Sequence, residues 1–139
     1  MQLSVKDWMK ELIVYIDPES MVSEALEKMR HRYISSLIVS KSDTNPEYGI
    51  VTSIDIVDKI VAQQRDPSKT KVREIMNSPL ITVEAHMSLP ECAAKMKEAR
   101  VHHLPVVNEK HEIIGMISST DFLLVAEGMG KGFSERALS

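Results

Sequence analysis

Gly49-Ile50-Val51-Thr52-Ser53-Ile54-Asp55 returns later in the chain as Gly115-Met116-Ile117-Ser118-Ser119-Thr120-Asp121. Both stretches read glycine, two apolar residues, a hydroxyl residue, two further residues and an aspartate. The match extends outward. At a shift of 67, Val5 falls on Val72, Met9 on Met76, Glu24 on Glu91, Lys28 on Lys95, Met29 on Met96, Leu37 on Leu104 and Val39 on Val106. One residue is then lost in a loop, and a shift of 66 places Gly49 on Gly115 and Asp55 on Asp121. A register held this long marks an internal duplication.

Each copy predicts the same elements. Ile13-Val14-Tyr15-Ile16 and Leu80-Ile81-Thr82-Val83 read as short strands. Val22, Ala25, Leu26 and Met29 share one helical face, as do Leu89, Cys92, Ala93 and Met96. The second of these helices opens with a capping-box pattern, Ser88-Leu89-Pro90-Glu91. Strands over 36–40 and 49–52 recur as 103–107 and 113–118, and helices over 53–62 recur as 119–126. The expected fold class is α+β: two β-α-β-β-α repeats, packed with pseudo-twofold symmetry because one copy alone buries too little surface. The expected boundaries are repeat 1 over 1–63, a polar linker over 64–71, repeat 2 over 72–126 and a flexible tail over 127–139.

Composition narrows the function classes. The chain has 139 residues, of which 43% are hydrophobic, enough for a core. A net charge of -3 argues against binding nucleic acid through phosphate neutralisation. No apolar run is long enough to span a bilayer, and charges interrupt the N-terminus where a signal peptide would need an apolar stretch. A single cysteine excludes an internal disulfide and a cysteine-based zinc site. The expected setting is soluble, reducing and cytoplasmic. Nine methionines and few aromatics suit a plastic core or interface.

The repeated junction has two compatible readings. Thr52-x-x-Asp55 and Ser118-x-x-Asp121 resemble capping boxes with Asp in place of Glu. A helix N-terminus also offers N–H groups to a phosphate, and an ionised Asp accepts hydrogen bonds from the hydroxyls of a ribose. A hydroxyl and an Asp three residues on would thus hold both ends of a ribose phosphate.

At these residues the chain resembles the CBS-domain family, specifically the tandem pair called a Bateman module. The paired openings Val5-Lys6-Asp7-Trp8-Met9 and Val72-Arg73-Glu74-Ile75-Met76 look like the family's repeat start, and Val101-His102-His103-Leu104-Pro105-Val106-Val107 looks like its strand entry. The resemblance covers residues 5–126. It implies a non-catalytic regulatory module that binds adenosyl ligands (AMP, ADP, ATP or S-adenosylmethionine) in clefts between repeats. By the family pattern, Asp55 and Asp121 contact ribose, and Thr52, Ser118 and Thr120 contact phosphate or ribose oxygens. No cofactor is required. The partners implied are the nucleotide, a second copy of the chain and a regulated protein that the sequence does not name. The competing reading is an interaction or dimerisation module with vestigial clefts.

His102 and His103 point to opposite faces if they lie in a strand, which disfavours joint chelation of one metal. They read either as one solvated and one edge histidine or, by the resemblance, as groups facing a ligand phosphate. Ser35 and Ser36 are their uncharged counterparts, and Ile54 stands where the second copy has Thr120. The Asp121 junction is therefore expected to bind the phosphorylated ligand more tightly. Tyr15 and Thr82 are matched strand positions placed to lie near an adenine or to face solvent. Cys92 reads as a small core residue. Gly128-Met129-Gly130-Lys131-Gly132 lacks the preceding strand and following hydroxyl of a phosphate loop. Ser, His and Asp are present without a nucleophile-elbow motif, so no triad is expected.

Overall fold

The computed structural model describes residues 3–43 and 45–131. Its elements, in chain order, are α1 (Val5–Trp8), β1 (Tyr15–Ile16), α2 (Val22–Arg32), β2 (Ser36–Val39), β3 (Gly49–Thr52) and α3 (Ser53–Asp55). Helix α3 runs on as a wider π-type turn, Ile56–Val61. A 3-10 turn at Val72–Glu74 follows, then β4 (Val83–Glu84), α4 (Leu89–Ala99), β5 (His103–Val107), β6 (Ile113–Ser118) and α5 (Ser119–Lys131). The β-α-β-β-α order is present twice.

The strands form two three-stranded sheets, ordered β1-β2-β3 and β4-β5-β6. In each, the first strand runs parallel to the second, and the second runs antiparallel to the third. The chain forms two compact units, Ile13–Leu80 and a second made of Met1–Leu12 with Ile81–Ser139. The strands β1 and β4 are shorter than their patterns predict. The chain crosses between units immediately before them, so the leading residues of each predicted strand are the crossover, and only two residues join each ladder.

The crossovers exchange the openings of the repeats. Val72 and Ile75, which begin repeat 2, are fully buried beside Ile16, Val22, Leu37, Val39 and Val51 of repeat 1. Val5 and Trp8, which begin repeat 1, lie in the core of repeat 2 with Val83, Leu89, Cys92, Leu104 and Ile117. The backbone bonds correspond one for one. Val5 N–H donates to Met87 O and Lys6 N–H to Ala85 O, while Val72 N–H donates to Ser20 O and Arg73 N–H to Pro18 O. The sequence repeats and the packing units therefore divide the chain differently. One amphipathic turn, apolar at i and i+3, suffices for this because it fills a hole in a core it does not otherwise belong to.

The expected linker, 64–71, is tied down. Helix α2 has Met21 as its N-cap, which provides no side-chain cap. Its free N–H groups go to the linker instead: Val22 N–H to Thr70 O at 2.8 Å and Ser23 N–H to Pro67 O at 2.9 Å. In the other unit Leu3 O takes the N–H of Leu89, and Ser88 Oγ takes that of Glu91. Helices α2 and α4 both end on a left-handed residue, Tyr33 (φ 52°) and Arg100 (φ 57°). Helix α5 extends to Lys131. Residues 127–131 of the expected flexible tail are therefore helical, because Val125 and Gly128 keep a buried stripe and Glu127 pairs with Lys131 at 3.0 Å. The remainder, 132–139, lies outside the described residues.

Candidate functional site

Strand β3 ends at Thr52, the N-cap of the helix that follows, and strand β6 ends at Ser118, directly before α5. The glycine of the motif serves the exchanged opening. A Cβ on Gly49 would meet Asn77 O and Met76 Sδ at 3.0 Å, and one on Gly115 would meet Met9 Sδ at 2.5 Å and Lys10 O at 2.9 Å. With no Cβ there, Lys10 and Met116 exchange both backbone hydrogen bonds at 2.9 Å, and Asn77 and Ile50 do the same. The residue after Met9 or Met76 is thereby held beside the strand that carries the aspartate's cap.

Both aspartates are nearly buried, and both cap. Asp121 Oδ2 accepts the Ser118 N–H at 2.8 Å and the Ser118 hydroxyl at 3.1 Å. Asp55 Oδ2 accepts the Thr52 N–H at 2.8 Å and the Thr52 hydroxyl at 3.2 Å. The capping reading of Thr52, Asp55, Ser118 and Asp121 is thus realised on one oxygen of each carboxylate.

The other oxygens differ. Asp121 Oδ1 meets the Lys10 ammonium, Nζ, at 2.6 Å. Asp55 Oδ1 receives Asn77 Nδ2 at 3.0 Å and Lys59 Nζ at 3.1 Å, and the Asn77 amide also lies 3.1 Å from Oδ2. Lys59 is itself anchored to Ile75 O at 2.8 Å. Lys10 and Asn77 correspond at the repeat shift of 67, while Lys59 corresponds to Val125. None of the three was singled out from the sequence. The first two were visible as an aligned polar pair behind each Met, and Lys59 as the i+4 partner of Asp55.

The structure gathers some predicted residues and separates others. His103 lies opposite Ser118 in the β5–β6 ladder, and the carbonyl of exposed His102 accepts the Ser119 N–H at 2.9 Å. Thr120 is exposed in the first turn of α5. In the other unit Ser36 faces Thr52, and Ser35 O takes the Ser53 N–H. Tyr15 is in β1, so β2 separates it from the strand leading to Asp55. Its ring packs 6.3 Å from that of Tyr48, over which Lys41 Nζ sits at 4.8 Å. Burial, then the neighbouring Tyr48, pushes the Tyr15 hydroxyl above its ordinary range. Thr82 precedes β4, likewise one strand removed, and its carbonyl is held by Lys95 just as that of Tyr15 is held by Lys28. A groove of about 370 Å³ on α2, lined by Val14, Glu24, Glu27, Lys28, His31 and Arg32, contains none of the predicted site residues. Among the described residues no group of three or more His, Cys, Asp or Glu is placed to hold a metal ion, and no helix is long and apolar enough to cross a membrane.

Comparison with known proteins places this geometry in context. A family model for the CBS domain matches twice, over residues 5–62 and 72–128. An uncharacterized protein of Methanopyrus kandleri is 31% identical over 123 residues, which is 88% of this chain and 62% of that protein; this chain thus spans under two thirds of that relative's length. The hexameric CBS-CP12 protein from bloom-forming cyanobacteria superposes with a TM-score of 0.85 at 30% identity, covering 95% of this chain and 77% of that one. A CBS domain pair crystallised with 5'-methylthioadenosine and S-adenosyl-L-methionine superposes with a TM-score of 0.79 at 25% identity, covering 93% and 99% of the two chains.

Proposed function

Since the chain belongs to the CBS-domain family and carries the domain in tandem, we propose that it is a regulatory module that senses an adenosyl ligand of the AMP, ADP or ATP class, with S-adenosylmethionine as a further candidate, and performs no chemistry of its own. The observation that carries this reading is the Asp121 junction. A nearly buried carboxylate there keeps one oxygen for a donor other than its cap, at the head of a 13-residue helix. His102, His103, Ser118 and Thr120 are all close in backbone to that point. Ribose hydroxyls suit the carboxylate, and the helix N-terminus with the histidines suits a phosphate. The related pair bound to methylthioadenosine and S-adenosylmethionine supports the ligand class.

Thr52 and Asp55 form the poorer site. Five donor contacts already crowd the Asp55 carboxylate, and Ile54 replaces the threonine. That saturation favours a second reading for this half, as a structural copy serving assembly. Exposed Val57 and Val61 on one helix and Leu123 and Leu124 on another supply apolar surface for a homodimer. We place the module in the cytoplasm, acting on a protein that its ligand controls.

The test is calorimetry of the purified chain with AMP, ADP, ATP and S-adenosylmethionine, paired with light scattering. Saturable binding of at least one ligand to a dimer is the expected result. No binding by any of the four, in a folded dimer, overturns the sensing reading and leaves the assembly reading standing.

A further inference from the structure

The two aspartates share a motif, a cap and a depth of burial, yet their second oxygens are satisfied by different means. Asn77 and Lys59 hold Asp55 from a network with its own anchors: Lys59 also donates to Ile75 O, and the Asn77 amide spans both carboxylate oxygens. Among the described residues, the charged group against Asp121 Oδ1 is that of Lys10. The Lys10 side chain is 65% exposed while that of Asp121 is 3% exposed, and its ammonium donates to Asp121 Oδ1 at 2.6 Å. An exposed ammonium on a flexible four-carbon stem leaves a carboxylate at small cost, because water replaces the contact. A carboxylate so deeply set has no such replacement of its own.

We propose that Lys10 is a specificity-determining residue of the Asp121 site. In the free protein its ammonium occupies Oδ1. A ligand hydroxyl takes that oxygen, and the displaced ammonium turns to the ligand's anionic group. Lys10 thereby selects ligands that carry both a hydroxyl pair and a negative charge over neutral ones. The inference rests on the reading of the Asp121 junction as a ligand site, and it deepens that reading.

Charge balance favours such a group beside the helix N-terminus and the histidines. Bare Asp121 repels a phosphate placed near it, and like charges at close range oppose binding. An ammonium tethered beside the carboxylate cancels that repulsion and then supplies a charge-assisted bond to the phosphate. At the Asp55 site Asn77 is neutral and Lys59 is committed to a backbone carbonyl, so neither performs the exchange. The backbone of Lys10 is fixed by its paired bonds to Met116, so the side chain pivots from a fixed point and substitution leaves the strand contact intact.

The experiment measures the affinities of AMP and of adenosine for the parent chain and for Lys10→Met, Lys10→Gln and Lys10→Arg, by calorimetry. The parent is expected to prefer AMP. In Lys10→Met and Lys10→Gln the AMP-to-adenosine preference falls roughly tenfold, the loss of one charge-assisted contact. Most of the fall comes from weaker AMP binding, while adenosine binds as well as before or better, its competitor for Oδ1 having gone. Lys10→Arg keeps most of the preference. Gln retains a hydrogen bond to Asp121 without the charge, so a purely structural role for Lys10 spares Lys10→Gln, and that result refutes the proposal. An unchanged preference in Lys10→Met also refutes it, with the sensing function intact. A parent chain that binds neither compound overturns both.

Discussion

The exchange of repeat openings predicts that the two obvious ways of cutting this chain give very different fragments. Residues 1–63 comprise one complete sequence repeat; residues 13–80 comprise one packing unit. The fragment 1–63 lacks Val72 and Ile75, both fully buried in its core. Each such side chain contributes about 1.5–3 kcal/mol, so roughly 3–6 kcal/mol is lost. A folded region of this size is stable by only about 3–10 kcal/mol in total. The same cut removes the two backbone bonds to Ser20 and Pro18 and the carbonyls of Thr70 and Pro67 that satisfy the start of α2. It also leaves Val5 and Trp8 without the core they fill. Fragment 13–80 keeps every one of the unit's own contacts. Urea titrations followed by far-ultraviolet circular dichroism are expected to give a cooperative transition for 13–80 and a weak or absent one for 1–63. Equal transitions refute the reasoning. They would mean that Val5 and Trp8 fold back into their own repeat and that the exchange contributes nothing to stability.

Three further outcomes are expected. Gly115→Ala places a methyl against Lys10 O and Met9 Sδ, and overpacking of this kind costs about 1–3 kcal/mol; Gly49→Ala costs less, its nearest contacts being longer, and chemical denaturation measures both. Asp121→Ala removes the one carboxylate oxygen left to a ligand, so a folded variant is expected to bind AMP roughly 10- to 150-fold more weakly, the equivalent of about 1.5–3 kcal/mol; unchanged affinity by calorimetry would assign the residue to capping alone. Cys92 is fully buried, and burial pushes its thiol from an ordinary value near 9.0 to about 11, against a smaller opposing pull from Lys95. Its folded value lies above its unfolded one, so the stability it contributes is complete below about pH 9 and is lost as pH rises towards 11. Iodoacetamide at pH 8 is expected to label it in urea and to leave it unmodified in the native chain; rapid native labelling would place the thiol nearer the surface.

Periodicity and repetition carried most of the fold because they report local burial. Of the predicted faces, Val22, Ala25 and Met29 and Leu89, Cys92 and Met96 are buried, while Leu26 is half-buried at the margin of its face and Ala93 is exposed. The capping hydroxyls and aspartates also lie where the motif puts them, since a cap depends on neighbours three residues apart. What spacing could not convey was the partner of each element. Nothing local tells Val72 and Ile75 that they belong to the core of the preceding repeat. A terminal position predicts a flexible tail over 127–139, yet Gly128 is buried in α5, where a small residue suits close packing. Lys10 and Asn77 escaped notice because their significance lies in distant contacts: Lys10 meets a residue 111 positions away.

The parts of the motif explain one another once the exchange is included. The glycine admits the opening segment against the strand. The hydroxyl and one carboxylate oxygen close the cap. The remaining oxygen faces the residue that the opening segment delivers, Lys10 in one unit and Asn77 in the other. A single register therefore fixes both the core and the charge at the carboxylate. The repeats diverged at the delivered residue without disturbing the packing, because Lys10 and Asn77 use the same pair of backbone bonds. A neutral amide there, with Lys59 behind it, closes the Asp55 site upon itself. An exposed ammonium leaves the Asp121 site satisfied at rest and still open to exchange, so the two copies of one motif are chemically unequal at a position the motif does not contain.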